Sequence, residues 1–533
     1  MPFLKKELMQ ISLASLAVLI LAAALQPVPG YMDAEYYYVG GIRLVTGYGF
    51  TEPFLWNYLD QPTGLPHPSH TYWMPLASIL SAIGMAITGA QSFLAGRWLF
   101  ILLAAIIPIL AVKLAEELGA SPASAQLSGW LAIFPGYYLV FSTLTETFVL
   151  YILGGSAFFL ILASKDKRLQ PGMGWMRYVL LGLVAGYMHA SRADGILWFG
   201  LAGLVWLDEH FRRGFRDVNW HRAIRHLLAL TLAYLLIMAA WYTRNLSLYG
   251  VLMPPGGSKT LWMTDYDQTF AFPSDALTPS NWLAAGMQVH LAARVHALWM
   301  NIKNLIAVQA EVFLLPLIAI GAWQNRHQKI IRFGILGWLL TLLLMTVVFP
   351  YSGSRGGYLH SGAAFQPLFW ACAAVGLDTA IALGVRRRGW SRKKAGIFFS
   401  RSLILLAAGI TTVVFWGRVI SPGLHAPKWS DSQRSYSAVG SRMDQLGVPE
   451  DAIVLVNNPP GFFLSTGRQS IVIPDGGEEN LLAVAEQYGA NYLVLDGNNP
   501  KLVDLYQSNH RKDGFSFIET IGTMKLFQIH YEP

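Results

Sequence analysis

Charge is scarce in this chain and cysteine almost absent. Only 13% of its 533 residues are Asp, Glu, Lys or Arg, against roughly a quarter in soluble globular domains. That excludes an ordinary soluble protein. The single cysteine, Cys372, lies in an apolar run, so an intrachain disulfide and a cysteine-based metal site are both excluded. There is no internal repeat and no low-complexity stretch. Polytopic transporters commonly show repeated halves, so the absence of one argues against that class.

What the chain has instead is apolar length. Hydrophobic residues make up 54% and aromatics 13%, gathered into long runs separated by short basic clusters. The first run, residues 11–28, is about long enough to cross a bilayer. It follows Met1-Pro-Phe-Leu-Lys-Lys, as a signal peptide would, but Gln26-Pro-Val-Pro-Gly30 matches a small-residue cleavage site poorly. The run therefore reads as a retained first helix. The net charge of +8 is unevenly spread: residues 421–533 carry 8 Lys and Arg against 13 Asp and Glu, and residues 1–420 carry 31 against 18. The basic excess lies between apolar runs, the pattern of the positive-inside rule. No nucleic-acid groove is implied.

The basic clusters lie at Lys5-Lys6, Lys113, 165–177, 212–225, 326–332 and 386–401. If all are cytoplasmic, an even number of crossings separates each neighbouring pair. Spans at 9–28, 93–112, 124–141, 146–164, 175–190, 193–207, 223–243, 305–323, 332–350, 361–384 and 402–420 satisfy this. The fold expected is a polytopic α-helical membrane protein of about 11–13 transmembrane helices, in a plasma or inner membrane. Its N-terminus is cytoplasmic and its C-terminus outside. The apolar stretch at 75–90 suits an interfacial or re-entrant helix. Two domains are expected: a membrane domain over residues 1–420, with a first external loop at 29–92, and a soluble extracytoplasmic α/β domain over 421–533. In the tail, "AIVLVNNPPGF" reads as a strand ending in a turn and "ENLLAVAEQYGA" as an amphipathic helix stopped by Gly489. "NYLVLDG" and "TMKLFQIHY" read as strands. "NNPPGFF" reads as a plain connection rather than a binding turn.

Candidate chemistry gathers on the outer side. "YMDAEYYYVGG" places Asp33, Glu35 and Tyr37 just past the first run, with helical spacing up to Gly47 and Gly49. A carboxylate at a water–lipid boundary is well placed as a general base towards a hydroxyl; capping the helix is the alternative role for Asp33. In "LPHPSHTYWMPL", His67 and His70 are three apart, each near a proline that stiffens the backbone. With Asp33 and Glu35 they offer a candidate divalent-metal set, or alternatively donors to phosphate oxygens. Glu146, Arg192 with Asp194, and Arg244 with Asn245 lie at the outer ends of spans, where charge is costly in lipid. "FPYSGSRGGYLHSG" pairs Arg355 with Tyr358 and His360 in a glycine-rich turn suited to gripping a lipid phosphate.

Four stretches, "MDAEYYYVGGIRLVTGYGF", "HPSHTYWMPL", "SRADGILWFG" and "WYTRNLSLYG", resemble the GT-C superfamily of integral-membrane glycosyltransferases. Within it they resemble bacterial relatives of protein O-mannosyltransferases and of the lipid A aminoarabinose transferase. The likeness covers roughly residues 1–250, and the last two stretches resemble the Arg-Pro-Glu-Gly and Arg-Asn elements of those bacterial proteins. It implies transfer of a hexosyl or pentosyl group, with inversion, from a polyprenyl-phosphate donor. The acceptor would be a lipid, polysaccharide or protein hydroxyl on the outer face, and no nucleotide cofactor is expected. Asp33 would match the loop acid that acts as base. Glu35 would orient the acceptor or, in some members, a metal. His67 and His70 fall near the donor-phosphate contact of relatives. Asp194 stands where relatives commonly have Glu and Ala193 where they have Pro, and Arg355 matches the lipid-phosphate contact by position. Alternatives from other classes are a polyprenyl-linked polysaccharide ligase or polymerase, a lipid or sugar transporter, and a structural membrane protein. A ligase would show several arginines in a large loop, but residues 244–304 hold only Arg244 and Arg294. A structural protein leaves the first-loop acids unexplained.

Overall fold

In the computed structural model, residues 2–163, 174–212, 214–509 and 514–530 are described. Most of the basic cluster at 165–177 lies outside them, as do Tyr531 and the side chain of Lys5. The chain divides into two compact units. The first comprises residues 1–25, 98–252 and 292–418, and the second residues 26–97, 253–291 and 419–533.

Among the described residues the first unit is built of helices and holds no strand. Among the described residues six helical stretches are long and apolar enough to cross a membrane, including Phe93–Glu117, Trp220–Tyr249 and Lys329–Val348. The other expected spans fold as shorter or interrupted helices. The stretch at 124–141 breaks after Pro122–Ile133 because Pro135 offers no N–H and Gly136 adopts φ +56°; a 3-10 segment, Gly136–Phe141, follows. The stretch at 305–323 passes through a π-type turn, Leu305–Gln309, before Leu315–Gln324 begins. Between these, Glu311 and Val312 hold φ values of +46° and +62°, a conformation that β-branched Val312 adopts only under strain. The helix Leu76–Thr88 is short for a crossing.

The second unit is built around a six-stranded sheet. Its strands are β1 (Thr51–Glu52), β2 (Phe54–Leu55), β3 (His67–Pro68), β4 (Ile453–Val456), β5 (Ser470–Val472), β6 (Ala490–Leu495), β7 (Phe515–Ile521) and β8 (Met524–Ile529). The strand order is β2-β5-β4-β6-β8-β7, while β1 and β3 form a separate antiparallel pair. Strands β2, β5, β4 and β6 run parallel; β8 and β7 close the other edge antiparallel. The sheet is therefore not made by the tail alone, since β2 comes from the first loop. Alternation puts Val454 and Val456 on one face with Tyr436, Met443 and Phe462, and Leu455 on the other with Leu481, Leu493 and Phe527. The middle segment joins the same body, where the Asp475 N–H donates to the Phe270 carbonyl oxygen at 2.9 Å.

The tail helix Glu478–Tyr488 ends at Gly489, in the left-handed conformation, as its sequence implies. "NNPPGFF" differs from expectation. It opens a helix, Pro459–Thr466, because Asn458 caps it and proline at the first position is pre-set for helix.

Candidate functional site

In the first unit a largely buried polar network forms where three chain segments meet. Glu146 precedes the helix Thr147–Ala163; its Oε1 accepts from the Thr147 N–H at 2.7 Å and from the Thr147 hydroxyl at 2.8 Å. His360 Nδ1 lies 3.3 Å from the same Oε1, with its ring stacked on Phe148 at 3.9 Å. One residue on, the Ser361 hydroxyl donates to Asp194 Oδ2 at 2.7 Å, and the Tyr151 hydroxyl reaches the same oxygen at 3.2 Å. Arg192 Nε donates to Asp194 Oδ1 at 2.9 Å. Two carboxylates, an arginine, an imidazole and three hydroxyls thus lie together, Glu146 buried and Arg192, Asp194 and His360 half-buried. Among the described residues Glu146 Oε2 has no hydrogen-bond partner. Buried carboxylate oxygens are seldom left so, and ionisable groups inside membranes usually serve function.

The remaining expected residues of this unit have more local roles. Arg244 lies over the Trp241 ring at 4.5 Å, and the buried Asn245 Nδ2 donates to the Leu252 carbonyl oxygen at 3.0 Å. Arg355 is exposed, whereas Tyr358 is fully buried and donates to Gln309 Oε1 at 3.4 Å.

In the second unit the first-loop helix runs Met32–Val45. Its N-cap is Tyr31, with no side-chain cap, so Asp33 does not cap the helix. Asp33 instead lies in the first turn, part-exposed, where a carboxylate suits the helix dipole. Glu35 is 4% exposed and accepts from Asn458 Nδ2 at 2.7 Å. Burial pushes its carboxyl up to about 7, and the Asn458 hydrogen bond works against this. Tyr37 is packed against the rings of Tyr36, His70 and Trp73. His67 Nε2 pairs with Asp60 at 2.6 Å. His70 is enclosed, its Nδ1 beside the Ser69 hydroxyl at 2.7 Å and its Nε2 beside Ser78 at 3.0 Å. Among the described residues Asp33, Glu35, His67 and His70 do not gather as metal ligands. Glu35 Oε2, His67 Nε2 and both ring nitrogens of His70 are engaged with other partners.

Sequence reasoning missed four residues. Tyr151 and Ser361 are hydroxyls that no local signal sets apart from others in the chain. Glu311 is an acid inside an apolar run, a visible signal; it accepts from Trp370 Nε1 at 2.8 Å, and its Oε2 is partnerless among the described residues. Asn458 stood before a Pro-Pro pair, itself a helix-start signal.

No family model matches the chain, and no curated protein matches its sequence. Solved structures do. The chain is similar to the apo oligosaccharyltransferase of Archaeoglobus fulgidus, with a TM-score of 0.59 and 13% identity over 92% of this chain and 69% of that one. The same enzyme, AglB, in complex with an inhibitory peptide and a dolichol-phosphate, is matched with a TM-score of 0.54 at 13% identity, over 93% of this chain and 69% of that one. The fold is that of the GT-C membrane glycosyltransferases. Within that class, ArnT from Cupriavidus metallidurans bound to undecaprenyl phosphate is matched nearly end to end. Its TM-score is 0.56 at 11% identity, covering 98% of this chain and 97% of that one.

Proposed function

We propose that this chain is a membrane glycosyltransferase. It moves a sugar from a polyprenyl-phosphate donor to an acceptor hydroxyl on the outer face, with inversion, its N-terminus cytoplasmic and its tail outside. The observation that carries the reading is the end-to-end likeness in fold to ArnT bound to undecaprenyl phosphate. The largely buried network of Glu146, Arg192, Asp194 and His360 supports it, because a greasy unit retains such groups where chemistry needs them.

The residues divide the work by chemical type. Asp33 takes the proton from the acceptor hydroxyl as its oxygen attacks the anomeric carbon. A carbon–oxygen bond forms there, and the bond to the phosphate oxygen breaks. The polyprenyl phosphate leaves with the electron pair. Arg192 and His360 offer donors to the charge that grows on the leaving phosphate, held in place by Asp194 and Glu146. Arg355, exposed and charged, is assigned to the lipid phosphate. His67, paired through Nε2 with Asp60, and His70, with both ring nitrogens engaged by serines, are assigned to architecture.

The test is purified protein incubated with a panel of polyprenyl-phosphate sugars and candidate acceptors. Release of lipid phosphate with one sugar, and a product anomer opposite to the donor's, is expected. A product that keeps the donor's anomeric configuration would contradict the mechanism. Silence across the panel, with folded protein, would contradict the function.

A further inference from the structure

The stretch that carries Asp33 is held by the tail from both sides. On the N-terminal side, Trp429 Nε1 donates to the Val28 carbonyl oxygen at 2.8 Å, and its indole meets the Tyr31 ring edge-on at 6.1 Å. Gly30 between them has φ +81°, and a Cβ there would lie 2.3 Å from the indole, so only glycine allows this approach. On the C-terminal side, Asn458 Nδ2 donates to Glu35 Oε2 at 2.7 Å. Asn458 is itself fixed, because its Oδ1 accepts from the Gly461 N–H at 3.2 Å as the cap of Pro459–Thr466. A Cβ at Gly461 would lie 2.7 Å from the same Glu35 oxygen.

Helix first turns fray, and this one has no side-chain cap of its own. A general base tolerates little displacement. Burying the Glu35 carboxyl is costly, and a single amide donor repays only part of that cost. Such a group is better explained by what it positions than by stability.

We propose that Trp429 and Asn458 form a clamp on residues 28–35 and that Glu35 is a positioning residue. Through this clamp the tail sets the placement of Asp33 without touching substrate. The proposal rests on the reading of Asp33 as the base.

The experiment uses the full-length protein in lipid nanodiscs with two readouts: hydrogen exchange of the amides at 31–36, and lipid-phosphate release resolved into kcat and KM. Asn458→Ala and Glu35→Ala each raise exchange there about fivefold, the worth of one hydrogen bond. Each also lowers kcat about tenfold to a hundredfold, leaving KM for the donor unchanged. Glu35→Gln keeps the accepting oxygen and restores both readouts. The Glu35→Ala/Asn458→Ala double variant is no worse than either single one. Trp429→Phe, which keeps an aromatic six-membered ring but loses the indole N–H and its five-membered ring, raises exchange at 31–36 while leaving β4 to β6 protected; it serves where Asn458→Ala loosens the whole tail. Unchanged exchange in both Asn458→Ala and Trp429→Phe, additive losses in the double variant, or Glu35→Gln as slow as Glu35→Ala would overturn the clamp. Full turnover in Asp33→Asn would instead remove the base reading, and the exchange measurement would still decide the clamp.

Discussion

The two units arrange their polar side chains differently. In the helical unit, Glu146, Arg192, Asp194 and His360 are joined in one network, and one carboxylate oxygen there has no partner among the described residues. In the sheet-containing unit, His67, His70 and Glu35 are each tied to a separate partner: Asp60, two serine hydroxyls and Asn458. Residue type alone does not separate the two cases. A buried ionisable group tied to a partner of its own serves to hold the fold or a neighbour in place, and one with a partnerless oxygen is open to a ligand. Of the first-loop candidates, part-exposed Asp33 is the one assigned here to chemistry.

The contrast can be broken by substitution. Glu146→Leu removes the acceptor of the Thr147 pair and the partner of His360, and a loss of turnover on the order of 10²-fold or more is expected in lipid-phosphate release. Retained turnover would make this network architectural too. The next effect is one of pH. The Glu35 carboxyl sits at about 7 in the folded protein against an ordinary 4.5, so the folded state binds this proton more tightly. Its contribution to stability is full below the unfolded value, falls as pH rises, and is lost above the folded value, a swing of about 3 kcal/mol. Thermal melts on either side of this window should show the fall in the wild type and a flat response in Glu35→Gln.

His70→Ala leaves the Ser69 and Ser78 hydroxyls without the ring. It should cost about 1–3 kcal/mol in thermal unfolding while turnover per folded molecule holds. A turnover loss without a stability loss would move His70 into the site. The smallest effect is expected at exposed Arg355, where Arg355→Ala should raise KM for the lipid donor by about tenfold or less, with kcat unchanged.

Much of this was legible in the sequence. The membrane character came from apolar runs and sparse charge. The helix ending at Gly489 and strands β6 and β8 came from periodicity. The candidate groups around Glu146 and Asp194 came from the cost of charge in lipid. Other features lay beyond a local reading. Strand β2 is two residues long, Phe54 and Leu55, and becomes a strand only by pairing with β5, more than 400 residues away in sequence. The cap role for Asp33 puts the first helical residue at Ala34, two positions after Met32, where the helix starts. The Glu35–Asn458 hydrogen bond joins residues 423 apart, and no local pattern announces it. The break at Glu311 and Val312 depends on backbone angles that neither residue favours.

The most direct measurement is lipid-phosphate release in a single turnover by Asp33→Asn beside the wild type, with donor binding followed in the same samples. A fall on the order of 10²–10⁴ in rate, with donor binding intact, is the result the general-base assignment requires. A variant that turns over at the wild-type rate would contradict it.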